Sequence, residues 1–597
     1  MTGTTLRYAV FHVHRNKTLL LATILTSFFA LTTVPSFIPF VLNLSVLLFY
    51  AHLLTNRSSK ARIFMLWIVL SLVKSFHWFA PSLNALSTPF TSLLVLFIHG
   101  ALTSFVTLLS VIIYARSRTR LRVHSSWTQI LVFPTAWATT WYALAHISPV
   151  GYLTSWSPVS GFPAYDWLMP VFGTPIKDWL VASWAVVISQ LGELWYMGEE
   201  TPEEAPLLDH EPLVSNASTS TDAMIQGRLK AMMALGGVLL ALATPSYIWN
   251  GADLALLPRP VIGSESTPLT VGCVLPSRAR LNQHNHHQLN FEDFLSESKT
   301  MNTANILLWP EGAVSFADAD ERENALTEVR RVITSPNQRV GVSFEESYRD
   351  PEDTTGRGRV LKRTGLALVS KSNETQMLYF KRNLVPIAES YRLQKSDNPP
   401  PLFTFDLNMP KWLPGPAIRP ISLTASICLD FAMPDPFVDL PWSTTSSGKP
   451  QIILGPARTW DLAVGNAMWE QAKQRAMELD SMILWCDGGD GGVSGIAGHG
   501  MHEVMQVGEG SWIRTIGLKY PADENRTFYG MIKGSGGTIA ILWLLLLGGY
   551  SGQWLLAAPT VGSLPQNLRG MFLRWREYRR RQTLSHDQEP NLLTFDD

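Results

Sequence analysis

At 597 residues the chain is too long for one ordinary domain, and its zero net formal charge excludes the global basic field of a nucleic-acid binder. Apolar residues make up 46% and charged residues 16%, where a purely soluble protein would carry about a quarter charged residues. Three cysteines, Cys273, Cys428 and Cys486, are too few for a disulfide framework; the odd count leaves at least one thiol unpaired, with Cys428 the candidate.

The charge deficit falls in the first 250 residues, which read as membrane. Seven apolar segments lie near 18–33, 35–54, 62–80, 92–114, 127–147, 178–197 and 230–248, and an eighth near 535–557. A membrane-crossing helix needs roughly 17–25 residues, so these predict a polytopic α-helical domain of eight spans. The first segment is short enough for a signal peptide, but it lacks a small-residue cleavage site and runs into the second, which favours an uncleaved hairpin.

Basic residues flank alternate ends: Arg7, Arg15 and Lys17; Arg57, Lys60 and Arg62; Arg116, Arg118, Arg120 and Arg122; and Arg574, Arg576, Arg579, Arg580 and Arg581. With eight spans these all fall on the cytosolic face, which puts the polar stretch 249–533 on the extracytosolic one. Residues 198–228, acidic and rich in Pro, Ser and Thr, read as a disordered cytosolic linker. Its string from Glu203 to Leu208 fits an acidic dileucine sorting signal, a pattern chance produces readily. The expected organisation is a membrane domain over 1–250, a catalytic domain over 251–533, an eighth helix over 534–558 and a basic cytosolic tail over 559–597.

Between 268 and 530, apolar runs (LTVGCVL, ANILLWP, RVGVSF, GLALVS, MLYF, ISLTASICL, QIILGP, SMILWC) alternate with helix-compatible stretches, clearest in VGNAMWEQAKQRAMELD. That alternation predicts one α/β domain. Three of the runs lead into residues that carry chemistry. Glu311 follows Trp309-Pro310 in LLWPEGA, Lys381 follows MLYF, and Cys428 closes the run SLTASI. Taken singly, each has a dull reading: a solvated loop carboxylate, a surface lysine, a small buried hydrophobe. Together, a carboxylate, an ammonium and a thiol at strand ends compose a nucleophilic cysteine site. The Lys lowers the thiol pKa and stabilises an oxyanion, and the carboxylate moves protons. Asp430 fits a role in bonding the Cys428 elbow or orienting the lysine, or that of a helix N-terminal carboxylate.

This order and these flanking words resemble the nitrilase (carbon–nitrogen hydrolase) superfamily. The Trp-Pro-Glu and Lys-x-x-Leu-Val-Pro forms resemble its apolipoprotein N-acyltransferase family. The resemblance implies an αββα sandwich inserted between spans seven and eight. Glu389 matches the second glutamate, which orients the lysine; Trp460 and Asp461 match an aromatic–acid pair before a helix bearing Arg475 and Glu478; Tyr529 lies in the segment closing the domain. The chain departs from the family's Cys-Tyr-Glu at Cys428-Leu429-Asp430, and no Gln follows its first strand.

The implied reaction moves an acyl chain from a phospholipid to an amine, a lipoprotein-type N-terminus in bacteria, through a Cys428 thioester and without a cofactor. Rival readings are a membrane-tethered amidase and a non-catalytic membrane scaffold. Two glycosylation sequons, at Asn373 and Asn525, and the long linker point to a eukaryotic endomembrane host, a fungus among the candidates. The histidines of NQHNHHQ (His284, His286, His287) and GHGMHEV (His499, His502) lack acidic or thiol company and read as polar loops rather than metal ligands.

Overall fold

The computed structural model describes residues 14–54, 60–83, 85–86, 88–120, 126–157, 159–197, 216–249, 265–277, 289–349, 360–372, 374–441, 449–498 and 501–557. The chain forms two compact units, Met1–Leu546 and Leu547–Asp597; the first contains everything that follows except the end of the last helix, from Leu547 on.

Its N-terminal part is a layer of helices: α1 (Arg15–Ala30), α2 (Phe37–Phe49), α3 (Lys60–His77), α4 (Pro89–Arg120), α5 (Ser126–Ile147), α6 (Thr174–Met197) and α7 (Asn216–Trp249). Phe40, Phe133, Trp137, Trp141, Trp156 and Leu180 build their shared core, with the Trp141 and Trp156 rings stacked at 6.3 Å.

The eight-span expectation is wrong. Among the described residues two helices, over Pro89–Ser117 and Leu229–Ser246, are long and apolar enough to cross a membrane. Asn16–Ala30, Phe37–Phe49 and Ser535–Gly548 are apolar but shorter. Hydropathy counts apolar residues without asking what they face. α5 and α6 turn Trp137, Trp141, Leu180 and Val181 into the protein's own core, and α6 opens with buried Lys177 and Asp178, the latter accepting a hydrogen bond from Ser157. A second correction concerns the linker: α7 begins at Asn216, so the end of the segment expected to be disordered is helical. The rest of that linker, Arg7, Arg57, Arg122 and the arginine-rich tail lie outside the described residues.

The second half is a two-sheet sandwich. The first sheet has seven strands: β1 (Ser266–Cys273), β2 (Ile306–Leu308), β3 (Val314–Phe316), β4 (Arg339–Arg349), β5 (Val360–Val369), β6 (Thr375–Phe380) and β13 (Trp512–Lys519), ordered β13-β1-β2-β4-β5-β6 with β3 beside β4. The second runs β12-β11-β10-β9-β8-β7, from β7 (Phe403–Asn408), β8 (Ile418–Ala425), β9 (Ile452–Ala457), β10 (Met482–Asp487), β11 (Val493–Gly498) and β12 (Met501–Val507). In each sheet a parallel centre, β1-β2-β4 or β8-β9-β10, is flanked by antiparallel strands. The central strands are covered on both faces and read as unbroken apolar runs; every residue of β9 and β10 is buried.

Helices α8 (Phe291–Thr300) and α9 (Ala319–Val332) contribute Phe294, Leu326 and Val329 to a core against the first sheet. Helix α10 (Leu462–Leu479) contributes Met468, Ala472 and Ala476 to the core of the second. Helix α11 (Ser535–Ala557) follows the sandwich. Asn290 caps α8 by a reciprocal exchange with Asp293, and Asp461 caps α10.

The helical layer touches the sandwich near the ends of its central strands. Gly151, at φ 54°, lies so close to the Ala432 carbonyl that a Cβ would collide with it, and Trp78, Val150 and Leu153 pack on the sandwich core. The two sheets are also joined covalently by a Cys273–Cys486 disulfide, which the cysteine count gave no reason to expect.

Candidate active site

Each functional side chain sits just past a strand end. Beyond β2, Trp309 is fully buried, stacks on Phe294 at 5.1 Å and donates its indole N–H to Ser298 at 2.9 Å, which fixes the turn leading to Glu311. The Glu311 backbone N–H crosses to the second sheet and donates to the Ala457 carbonyl at 3.2 Å. Lys381 is the first residue after β6, and its N–H donates to the Thr364 carbonyl at 2.9 Å. Cys428 lies three residues beyond β8 and opens a short 3-10 turn through Ala432. Its φ is 60°, a left-handed backbone that a cysteine adopts at a cost of about 1–3 kcal/mol and that marks functional turns.

These three residues, far apart in sequence, converge. Lys381 Nζ donates to Glu311 Oε1 at 2.6 Å and to both oxygens of Glu389 at 2.9 Å. Glu389 is held in turn by the Val385 N–H at 2.8 Å. The Cys428 thiol is near enough to Glu311 and to the Arg458 backbone N–H for each to act on its proton affinity. Lys381 is fully buried; Glu311 and Cys428 are each 6% exposed.

Two carboxylates face one ammonium here, so the cluster has room for a proton. Burial pushes Glu311 up to about 7, with Lys381 opposing and Glu389 adding to the rise. Burial also pushes the Cys428 thiol well above its usual range, and Glu311 adds to this; Lys381 and the Arg458 N–H pull it back only in part. The resting group is therefore a thiol, whereas the sequence led us to expect a lysine-stabilised thiolate. Burial alone would lower Lys381, but Glu311, Cys428 and Glu389 outweigh it and hold the ammonium well above the ordinary lysine range. An acceptor raised toward neutrality, next to a thiol and a permanent cation, is equipped for acyl chemistry through sulfur.

Asp430 does not touch this trio. It accepts from the Tyr379 hydroxyl at 2.7 Å, the Asn383 N–H and Nδ2 at 2.8 Å each, and the Ile427 N–H at 3.2 Å. It thus ties the Cys428 elbow to the segment carrying Lys381. Trp460 and Asp461 are not brought to the trio. Trp460 is 40% exposed and donates its indole N–H to the Pro81 carbonyl in the helical layer at 3.0 Å, while Asp461 is spent on the Ala463 N–H at 2.8 Å. Arg475 and Glu478 form a separate buried pair at 2.9 Å, joined to Thr174 of α6.

Tyr379, Asn383 and the Arg458 N–H were missed. Asn383 lies two residues past Lys381 in the same motif, but a backbone donor leaves no mark in a sequence. His284, His286, His287, His499 and Asn373 lie outside the described residues. Asn525 is exposed and bonds Asp523, while Thr527 caps a short helix. Among the described residues no group of three or more His, Cys, Asp or Glu is placed to hold a metal.

No protein-family model and no curated protein matches the chain. Solved structures similar to it are amidases of Nesterenkonia, one described as belonging to the nitrilase superfamily. That amidase, from Nesterenkonia AN1, is 18% identical, with 45% of this chain and 94% of the other covered and a TM-score of 0.28. A second Nesterenkonia amidase is 18% identical over 46% of this chain and 95% of its own, at a TM-score of 0.29. Another mutant structure of the Nesterenkonia AN1 amidase, with the acetamide moiety of fluoroacetamide on its active-site cysteine, is 16% identical over 44% and 94%, also at 0.29. Likeness of this size does not place the chain in a family.

Proposed function

We propose that the protein is a membrane-associated N-acyltransferase that passes an acyl chain from a phospholipid to an amine through a thioester on Cys428. The observation that carries this reading is the convergence of thiol, neutral-range carboxylate and buried ammonium at a strained elbow. Glu311, Lys381 and Cys428 are the catalytic groups, Glu389 holds the lysine, and Asp430 positions the elbow.

Glu311 takes the thiol proton as sulfur attacks the ester carbonyl. Lys381 stabilises the tetrahedral oxyanion. Collapse breaks the ester C–O bond, and Glu311 returns the proton to the departing lysophospholipid oxygen. An amine then attacks the thioester, losing a proton to Glu311. The C–S bond breaks, an amide forms, and the proton goes back to sulfur.

Three features support a lipid donor at an extracytosolic surface. The turn opened by Cys428 packs against the helical layer through Ala432 and Gly151. That layer exposes large apolar side chains, among them Phe28, Phe76, Phe90 and Phe105, beyond what a watery surface tolerates. The Cys273–Cys486 disulfide belongs to an oxidising compartment. The amine is a lipoprotein-type N-terminus in this reading.

The test is trapping. Full-length protein in detergent is incubated with phospholipid labelled in its acyl chain, then digested. A hydroxylamine-labile label on the Cys428 peptide, absent from Cys428→Ala, is the expected result, with label passing to an added amine. Amide hydrolysis without thioester or amide product would make the protein an amidase instead.

A further inference from the structure

The Cys273–Cys486 disulfide closes the sandwich at the ends of β1 and β10, joining residues 213 apart in sequence, and both cysteines are fully buried. On the first sheet Cys273 is in register with Leu308, three residues before Glu311, and the Val274 N–H donates to the Leu308 carbonyl at 2.9 Å. On the second sheet Cys486 is in register with Pro456, and Asp487 with Ala457. The Ala457 carbonyl accepts the Glu311 N–H at 3.2 Å and the Gly488 N–H at 3.1 Å. Arg458, the next residue, is near enough to Cys428 for its backbone N–H to act on the thiol. A Cβ on Gly488 would run into the ring of Pro310, so the chain just past Cys486 lies directly on the residue before Glu311.

We propose that this disulfide is a positioning element of the catalytic site, fixing the sheet that carries Glu311 against the sheet that carries Cys428 so that carboxylate and sulfur stay within reach of one proton. The inference rests on the cysteine-nucleophile reading above. The physical argument starts from what holds two sheets face to face. Their interface is largely apolar, with Leu308, Leu366 and Leu368 opposite Leu423, Ile452 and Leu454. Such contacts are non-directional and do not by themselves fix the last fraction of an ångström. Proton transfer needs that fraction, because donor and acceptor must approach to roughly hydrogen-bond distance. The two sides of the site are pinned differently. Asp430, bonded to Tyr379 and Asn383, ties the Cys428 elbow to the lysine. The disulfide and the Glu311–Ala457 hydrogen bond tie it to the carboxylate. Loss of the disulfide therefore loosens the sulfur–carboxylate pair and leaves the sulfur–lysine pair in place.

The experiment reads Cys428 itself. Full-length protein and its C273A/C486V variant, which refills the space of the two sulfurs, are alkylated with iodoacetamide across neutral pH. Modification is followed by mass spectrometry of the Cys428 peptide, and Tm is measured alongside. The expected result is that the folded variant alkylates about tenfold more slowly, with its pH midpoint moved upward. Glu311→Gln should give the same change, and adding it to C273A/C486V should change nothing further. A lowered Tm with an unchanged alkylation rate and pH midpoint would reduce the disulfide to a stabilising staple and overturn the inference. If C273A/C486V does not fold, the native protein reduced with a trialkylphosphine is read in the same way. A Cys428 that resists alkylation in the unsubstituted protein would remove the nucleophile itself, and this inference with it.

Discussion

The protein buries charge in two places. At one, Lys381 faces Glu311 and Glu389, and the Cys428 thiol lies beside Glu311. At the other, Arg475 pairs with Glu478 at 2.9 Å, and Glu478 accepts the Thr174 N–H and hydroxyl at 3.0 and 2.8 Å. Close by, Asp435 accepts from Tyr529 and from the Ser535 N–H and hydroxyl. Both clusters are desolvated, so burial of charge does not separate them. Their partners do. Thr174 opens α6 and Ser535 opens α11, which makes the second cluster a joint between the helical layer and the sandwich. The first lies within the sandwich, behind a left-handed cysteine, and contains a nucleophile beside a carboxylate whose proton affinity burial has raised into the neutral range. A joint pairs its charges across two layers; a site keeps one proton free to move.

The sharpest way to break this distinction is to remove one member of each cluster. Cys428→Ser should lower acyl transfer by about 10³-fold or more, since a hydroxyl in the same place is a far weaker nucleophile, while Tm stays within a few degrees. Arg475→Met should do the reverse. Stranding Glu478 in a dry site should cost about 3–5 kcal/mol of stability, read by chemical denaturation, with Cys428 alkylation per folded molecule held within about twofold. If Arg475→Met slows alkylation as strongly as it destabilises, the two clusters are one unit.

The next effect is a pH dependence. Glu311 is held at about 7, above the ordinary carboxylate range, because burial disfavours its charge. Its base form therefore fills as pH rises through about 7. The rate of thioester formation should climb over that interval, about tenfold for each unit below the midpoint, and Glu311→Gln should abolish the climb along with most of the rate. The joint has no such group in contact with a nucleophile, so Arg475→Met should leave the midpoint where it is. A profile flat across neutrality would mean that Glu311 is not the acceptor.

Much of the first cluster could be read in advance because strand ends are local. An apolar run followed by Pro-Glu, by Lys-Arg or by Cys-Leu-Asp marks where a side chain leaves a sheet. The strands behind those runs, β2, β6 and β8, lie where the apolar letters put them. Edge strands β7, β12 and β13, and β11 beside β12, carry mixed residues and gave no such signal. The disulfide joins residues 213 apart, and no local pattern pairs them. The larger error, eight spans in place of two sufficiently long apolar helices, arose because a helix packed on other helices is as apolar as one packed on lipid. Lys177 and Asp178 at the head of α6 were the available hint, since a span seldom opens with two buried charges. Trp460 and Asp461 kept their sequence neighbourhood but serve the joint and a helix cap.

Trp460 offers the smallest and most discriminating effect. Its indole N–H donates to the Pro81 carbonyl, one of the direct bonds between sandwich and helical layer, and the ring is 40% exposed. Trp460→Phe keeps an aromatic ring and removes the donor. Pro81 is buried, but the 40% exposed Trp460 ring leaves the bond only partly shielded from water, so the change should cost about 0.5–1.5 kcal/mol, measured as a shift in denaturation midpoint at constant slope. Alkylation of Cys428 should not move, because neither Glu311 nor the elbow touches the indole. A change in alkylation larger than the change in stability would show that the contact between layers reaches the nucleophile, and the line drawn here between joint and site would have to run through Trp460 rather than around it.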